Sequence, residues 1–204
     1  MKRVLVAIAA LSVFAAGCNA NVTPPDQTTI DVDTPKLREM KKEAGIETCV
    51  PGTGSGELPA LTLPCLGGGP DVDLSKLQGP LLINLWYSGC GPCRDEMPAL
   101  QGYYEKHGAE VGVLGLDVEN YPEAAISFAA MVGATYPQLA DPGGYIFDQP
   151  DLRVSPAFPQ TIFVDADGNA SIPYADSFDS VSDIEDFVAS QPSQPSQPSQ
   201  PSQQ

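Results

Sequence analysis

Cys90 and Cys93 are the two side chains whose type and spacing most directly indicate chemistry. Gly91 and Pro92 separate them, the apolar run 81–85 precedes them, and a predicted helix follows. Cys90 therefore falls at a strand-to-helix junction, where unpaired backbone N–H groups and the helix dipole stabilise a thiolate. A thiolate attacks disulfides, and Cys93 lies one helical turn later, where it can resolve the mixed disulfide. The pair predicts thiol–disulfide exchange.

The elements that position this pair alternate between strands and helices. The patterns predict strands at 58–63, 72–74, 81–87, 111–118, 161–165 and 170–174, and helices at 35–44, 92–107, 122–132 and 181–189. The last two strands are expected to form a hairpin about Asp167-Gly168, a strong turn pair. The first two are expected to form an N-terminal β-hairpin extension. This order indicates an α/β sandwich with a mixed sheet.

Cys49 and Cys65 flank the glycine-rich stretch 51–56, ahead of the main predicted strand. A bond between them would close a loop of roughly 17 residues and stabilise the fold by about 3 kcal/mol in the chain-entropy model. We expect a structural disulfide, with a second redox couple as the alternative. A zinc site that also uses Cys90 and Cys93 is disfavoured, because such sites combine two close pairs and the first pair is too widely spaced.

The first seventeen residues have the pattern of a secretion signal. Lys2 and Arg3 precede the apolar run 4–16, which is shorter than the roughly 20 residues that span a bilayer. The run ends at Cys18 in a stretch that resembles the bacterial lipoprotein cleavage box, in which the cysteine is diacylated. This resemblance implies an extracytoplasmic protein anchored to the cell membrane through lipidated Cys18. Simple cleavage that leaves a free Cys18 thiol is the alternative.

The stretches around the cysteine pair resemble the thioredoxin fold, and more narrowly its exported, membrane-attached TlpA/ResA/CcmG branch. The positions that carry the resemblance are Cys90-Gly91-Pro92-Cys93, Trp86, Arg94, Glu96, Pro98, Phe158-Pro159-Gln160-Thr161 and the hairpin Val164–Gly168. The resemblance covers about residues 56–190 and implies a thioredoxin-like three-layer sandwich with a mixed β-sheet. Together with the sequence patterns at the two ends, it divides the chain into a signal peptide (1–17), a tether with a short helix (18–47), a thioredoxin-like domain (48–190) and a Gln-Pro-Ser tail expected to be disordered (191–204).

The resemblance also implies roles for individual residues. Cys90 corresponds to the exposed nucleophile and Cys93 to the buried resolving thiol. Pro159 corresponds to a cis-proline that faces the disulfide, and Phe158 to the residue whose backbone meets the substrate chain. Trp86 corresponds to a wall of the site, and plain core packing is an equal alternative.

Glu96 is the expected acid/base. Thioredoxins carry a buried Asp six residues before the first cysteine, but this chain has Asn84 there. The ResA-like branch carries an acid three residues after the second cysteine, where Glu96 stands. A carboxyl kept protonated by burial could exchange a proton with Cys93. The alternative is a solvated acid in the first turn of the helix.

The expected function is therefore extracytoplasmic thiol–disulfide exchange, in the direction of disulfide reduction on exported proteins. No flavin, nicotinamide or quinone motif is visible, so no cofactor is expected and a membrane electron donor of the DsbD/CcdA kind is implied. The resemblance implies apocytochrome c cysteines as one substrate class. Alternatives are a disulfide-forming oxidase and a non-catalytic, surface-anchored binding or chaperone module.

Two other functions are disfavoured. The net charge of −16 argues against binding to nucleic acid or to an anionic membrane surface. Peroxide reduction is disfavoured because Ile83 and Tyr87 stand where peroxiredoxins place Pro and Thr or Ser before the reactive cysteine.

Overall fold

The computed structural model describes residues 30–191. Its helices and strands, in chain order, are α1 (Pro35–Ala44), β1 (Thr62–Leu63), β2 (Val72–Asp73), β3 (Leu81–Trp86), α2 (Gly91–His107), β4 (Gly112–Asp117), α3 (Pro122–Val132), β5 (Gln138–Ala140), β6 (Gln160–Val164) and α4 (Val181–Ser190). The four predicted helices are confirmed. The predicted signal peptide, Cys18, the first part of the tether and the tail from residue 192 lie outside the described residues.

The main sheet has four strands in the order β5-β4-β3-β6. Strand β3 pairs in parallel with β4 and antiparallel with β6, and β4 pairs in parallel with β5. The sheet is therefore mixed, as predicted, and the strand that leads into the cysteine pair lies at its centre. Strand β5 was not predicted, because three residues are too few to show a strand periodicity.

The predicted strands at both ends of the domain are shorter than the patterns indicated. Residues 170–174 form no regular strand and contact β6 through two isolated antiparallel bridges, Thr161–Tyr174 and Val164–Ala170. Pro173 lies within this segment and has no N–H to donate to a ladder. Strand β1 pairs with β2 but keeps only two of its six predicted residues.

Side chains alternate between the two faces of β3, and each face covers its own part of the core. Leu82 and Trp86 pack into a cluster with the buried faces of all four helices. Ile83 and Leu85 pack against the β1–β2 extension and the loops on the opposite face. The sheet thus lies between a helical layer and the N-terminal extension, in a thioredoxin-like three-layer arrangement.

A disulfide joins Cys49 and Cys65, with Cα atoms 5.8 Å apart. Cys65 also forms an antiparallel bridge with Leu139 of β5. Beside it, the Leu66 N–H donates to the carbonyl of Gln138 at 2.8 Å. The bond therefore connects the segment after α1 to the edge of the main sheet.

Candidate active site

Cys90 and Cys93 form a disulfide at the start of α2, directly beyond the end of β3. Cys90 is the N-cap residue of the helix, and its Sγ accepts a hydrogen bond from the Cys93 N–H at 3.1 Å. Pro92 occupies the first turn, where its fixed φ suits a helix start and its missing N–H costs nothing. Cys90 is 3% exposed and Cys93 is fully buried, so both cysteines are buried in the disulfide form and the expected exposure of Cys90 is not found.

The helix start supplies the electrostatics that a thiolate at Cys90 requires. The first turn of α2 carries no acidic side chain, and the positive end of the 17-residue helix points toward the Cys90 sulfur. On reduction, the Cys93 N–H is already in place to bond an anionic Sγ.

Glu96 lies one turn after Cys93 on α2 and is completely buried. Its Oε1 accepts from Asn84 Nδ2 at 2.6 Å, and its Oε2 accepts from the Phe178 N–H at 3.3 Å. Burial raises the pKa of Glu96 to about 7, and these two hydrogen bonds oppose that rise. The alternative of a solvated acid is therefore wrong. Because residues three apart on a helix are neighbours, the carboxyl lies on the same side of α2 as the resolving thiol.

Asn84 connects α2 to β6 beneath the cysteine pair. Its Nδ2 donates both to Glu96 and to Thr161 Oγ1, the latter at 3.3 Å. Its Oδ1 is buried without a hydrogen-bond partner among residues 30–191. The Asn side chain thus orients the Glu96 carboxyl and keeps one acceptor free.

Trp86 lies in the core and has no exposed surface. Its ring stacks on Phe128 with centroids 5.3 Å apart, and its Nε1 donates to Gln138 Oε1 at 3.0 Å. The structure supports the core-packing interpretation of Trp86, because a side chain with no exposed surface cannot contact a substrate directly. The sequence could not separate these interpretations because both place an indole at the end of a buried strand.

Pro159 follows a cis peptide bond from Phe158. The Phe158 ring is half-buried, and its edge contacts Tyr87 and Phe147, with ring centroids 5.5 and 6.0 Å away. None of the hydrogen bonds found in the described part of the chain uses the backbone N–H or C=O of Phe158. Tyr87 leads into the cysteine pair, since its carbonyl accepts from the Cys90 N–H at 3.0 Å. We call Tyr87, Phe147 and Phe158 the aromatic shelf.

Sequence reasoning missed three residues near the site. Phe147 of the aromatic shelf comes from a 3-10 turn between β5 and β6, and the only signal for it was an aromatic residue in a glycine-rich loop. Glu119 accepts the Ser88 N–H at 2.7 Å and so holds the loop that leads to Cys90. Asp117 pairs with Trp86 in the sheet and is fully buried. No sequence pattern marked either acid as functional, because Asp117 is the last residue of an apolar strand and Glu119 lies just beyond that strand.

Asp117 is electrostatically unusual. Neither carboxylate oxygen makes a well-formed hydrogen bond among the residues described. Burial is the main cause that raises the pKa of Asp117 well above its ordinary value; repulsion from Glu119 and Asp141 adds to the rise, and the Glu119 backbone N–H opposes it. These surroundings favour the uncharged form of the side chain.

Two further findings concern metals and membranes. Within residues 30–191, no group of three or more His, Cys, Asp or Glu side chains is arranged to hold a metal ion. In the same range no helix combines the length and apolarity needed to cross a bilayer.

Comparison with known proteins identifies a family for this chain and relatives that match part of it. The sequence profile of the AhpC/TSA family matches residues 55–171, more than half of the chain. The thiol:disulfide interchange protein HelX of Rhodobacter capsulatus is 39% identical over 90 residues, which cover 43% of this chain and 49% of HelX. The thiol-disulfide oxidoreductase ResA of Bacillus anthracis is 29% identical over 102 residues, covering 49% of this chain and 57% of ResA. The chain thus spans about half the length of these relatives.

Solved structures show the same fold. A secreted thiol-disulfide isomerase from Corynebacterium glutamicum superposes with a TM-score of 0.55 at 26% identity, covering 63% of this chain and 81% of that one. A secreted disulfide oxidoreductase of Mycobacterium tuberculosis, homologous to DsbE of E. coli, has a TM-score of 0.55 at 23% identity, covering 65% and 96%. The latter likeness concerns the fold alone.

Proposed function

Because this chain belongs to the AhpC/TSA family and has a thioredoxin-like fold, we propose that it is an extracytoplasmic thiol–disulfide oxidoreductase that reduces disulfides of exported proteins. The observation that carries the proposal is the Cys90–Cys93 disulfide at the start of α2, with a buried carboxyl of raised pKa one turn away. HelX and ResA, which match part of this chain, are named for the same chemistry.

The reaction uses the dithiol form. The Cys90 thiolate attacks one sulfur of a substrate disulfide, the substrate S–S bond breaks, and the second substrate sulfur leaves as a thiolate that takes a proton from water. Cys93 then passes its proton to Glu96 and attacks Cys90 Sγ, which releases the first substrate sulfur. Two electrons move from the protein to the substrate, and the Cys90–Cys93 disulfide forms.

Glu96 suits the second step because its pKa of about 7 lies near neutral pH. A base of that strength is partly ionised when the proton of Cys93 must leave, and partly protonated when the resolving thiol must be restored. Asn84 orients the carboxyl through its 2.6 Å hydrogen bond.

The substrate is proposed to be a polypeptide in extended form. The Phe158 backbone, which carries no hydrogen bond from within the described residues, can pair with the chain on either side of the substrate cysteine, as an added strand does. The aromatic shelf offers apolar surface to a side chain next to that cysteine, and Phe147 is its most exposed ring at 37%.

The proposals of export, a lipid anchor, an electron donor and a substrate class are argued from the sequence. The signal-like start and the cleavage box at Cys18 support export and a lipid anchor. The product disulfide must be reduced again, which supports an external donor of the DsbD/CcdA kind. The TlpA/ResA/CcmG resemblance supports apocytochrome c cysteines as one substrate class.

Reduction of insulin disulfides, with dithiothreitol as donor, tests the activity. We expect Cys90→Ser to abolish catalysed reduction, because the attacking thiolate is lost. Cys93→Ser should instead accumulate a mixed disulfide between Cys90 and the substrate, visible as an added mass. Unchanged insulin reduction by the Cys90→Ser variant would favour the non-catalytic binding module. A strongly oxidising equilibrium potential of the Cys90–Cys93 couple would favour the oxidase.

A further inference from the structure

Lys41 of α1 is buried against the other disulfide, Cys49–Cys65. The residue is 6% exposed, and its Nζ lies 3.0 Å from Cys65 Sγ and donates to the Gly68 carbonyl at 2.7 Å. Within residues 30–191 no carboxylate oxygen lies within 4.0 Å of Nζ. The nearby Asp33 is bonded to Arg38 at 2.7 Å. A buried ammonium without an anion is unfavourable, and burial accordingly lowers the pKa of Lys41, opposed by the charge of Asp33.

The polar groups around the two sulfurs suit the reduced pair better than the disulfide. The Cys49 N–H points at Cys65 Sγ at 3.1 Å, so this sulfur faces two N–H donors. Cys49 Sγ lies 3.2 Å from the carbonyl of Gln138. A disulfide sulfur has no proton to donate and accepts only weakly. A Cys49 thiol could donate to that carbonyl, and a Cys65 thiolate would give Lys41 its missing anion.

We propose that Cys49–Cys65 is a second redox-active disulfide, whose reduction leaves a Cys65 thiolate bonded to Lys41 and a Cys49 thiol bonded to Gln138. A thiolate of a small thiol attacks Cys65 Sγ, the S–S bond breaks, and Cys49 leaves as a thiolate that takes a proton from water. A second small thiolate then attacks the outer sulfur of the mixed disulfide and releases Cys65 as the thiolate stabilised by Lys41. Two small thiols are oxidised to a disulfide and the protein gains two electrons.

The surroundings favour a small reductant over a protein. Both sulfurs belong to residues that are 1% exposed, which excludes a bulky partner. Gly69 lies beside Cys65, and a Cβ at Gly69 would lie 3.3 Å from both Cys65 Sγ and Thr48 Cγ2, so any side chain at this position would crowd the sulfur. A groove of about 410 Å³ passes over Gly69 and Lys41 and is also lined by Arg38, Lys42 and one acid, Asp33, which pairs with Arg38. Its cations outnumber this single carboxylate, which in a chain of net charge −16 favours an anionic small thiol.

The test measures the redox midpoint of each cysteine pair in one sample. The full-length chain is equilibrated in graded ratios of reduced to oxidised dithiothreitol, alkylated and read by peptide mass spectrometry, which separates Cys49 and Cys65 from the active-site pair. We expect Cys49–Cys65 to open in the folded protein. We expect Lys41→Met to require an about tenfold higher ratio, since an adjacent opposite charge is worth at least one tenfold step in thiolate stability.

The controls use the same helix. Lys36→Met removes an equal charge at an exposed position of α1 outside the groove and should leave the midpoint within about twofold, while Lys41→Arg should restore most of the wild-type midpoint. In the oxidised wild type, 2-mercaptoethanesulfonate should open the Cys49–Cys65 bond faster than cysteamine, after correction for the thiolate concentration of each reagent. The proposal is overturned if the bond opens only on denaturation, or if Lys41→Met and Lys36→Met share the wild-type midpoint. The active-site midpoint, read in the same spectra, tests the proposed function separately.

Discussion

Replacement of the buried Glu96 by Gln gives the sharpest test of the proposed acid/base. The folded protein holds this carboxyl with a pKa of about 7, against an ordinary value of 4.5. The folded state therefore keeps a proton that the unfolded chain releases between these two pH values. The contribution of Glu96 to stability is therefore fully present below pH 4.5 and is lost as the pH rises through about 7.

The size of this effect follows from the shift in pKa. A shift from 4.5 to about 7, at 1.36 kcal/mol per pKa unit, corresponds to about 3 kcal/mol of stability lost between pH 4.5 and pH 8. Gln cannot ionise, so Glu96→Gln should remove this slope. The variant also keeps a hydrogen-bond route, because the free Oδ1 of Asn84 can accept from the new amide once the Asn84 amide flips.

Two assays follow from the same change. Denaturant unfolding of the oxidised protein from pH 4.5 to 8 should show the Glu96→Gln stability falling by about 3 kcal/mol less than the wild-type stability. The slope that remains in the variant comes from other buried acids such as Asp117. Single-turnover release of a Cys90 mixed disulfide should slow by about 10²-fold or more, the usual contribution of a positioned general base. Equal pH slopes of stability in both proteins, or an unchanged release rate, would refute the reasoning.

Three further changes test the surroundings of the site. Glu119→Ala removes the acceptor of the Ser88 N–H and should lower kcat/KM for insulin reduction several-fold. Glu119→Gln keeps an acceptor and should restore kcat/KM. Equal losses in both variants would show that the negative charge of Glu119, and not the hydrogen bond, matters. Asp117→Asn removes a buried ionisable group and should raise the unfolding free energy at pH 7, because the folded wild type holds a proton there that its unfolded chain releases. The raised pKa of Asp117 means that this gain should vanish below pH 3.8, and a gain that grows at acid pH would contradict the assignment. Phe147→Ala should raise KM for a polypeptide disulfide several-fold with kcat unchanged, because the ring lies on the aromatic shelf; a change in kcat alone would place it outside the substrate surface.

Much of the fold was predictable from local patterns. The helices at 35–44 and 122–132 end at glycines in the left-handed region, Gly45 and Gly133, and both helix ranges match the patterns that the sequence shows. The central strand was visible as an apolar run, since a strand buried on both faces needs no polar alternation. Strand β5 escaped prediction because three residues are held only by their neighbours in the sheet.

The sequence by itself determined where the thiol chemistry lies. Cys90 and Cys93 are spaced so that a helix start must place one at the N-cap and the other a turn later, and this follows from adjacent residues alone. Tertiary structure decided how the surrounding groups act, because burial depends on residues distant in the chain. Glu96 is shielded by Asn84 and by Phe178, which lies 82 positions away. Lys41 reaches Cys65 across 24 positions, and no local pattern contains the proximity of that ammonium to that sulfur.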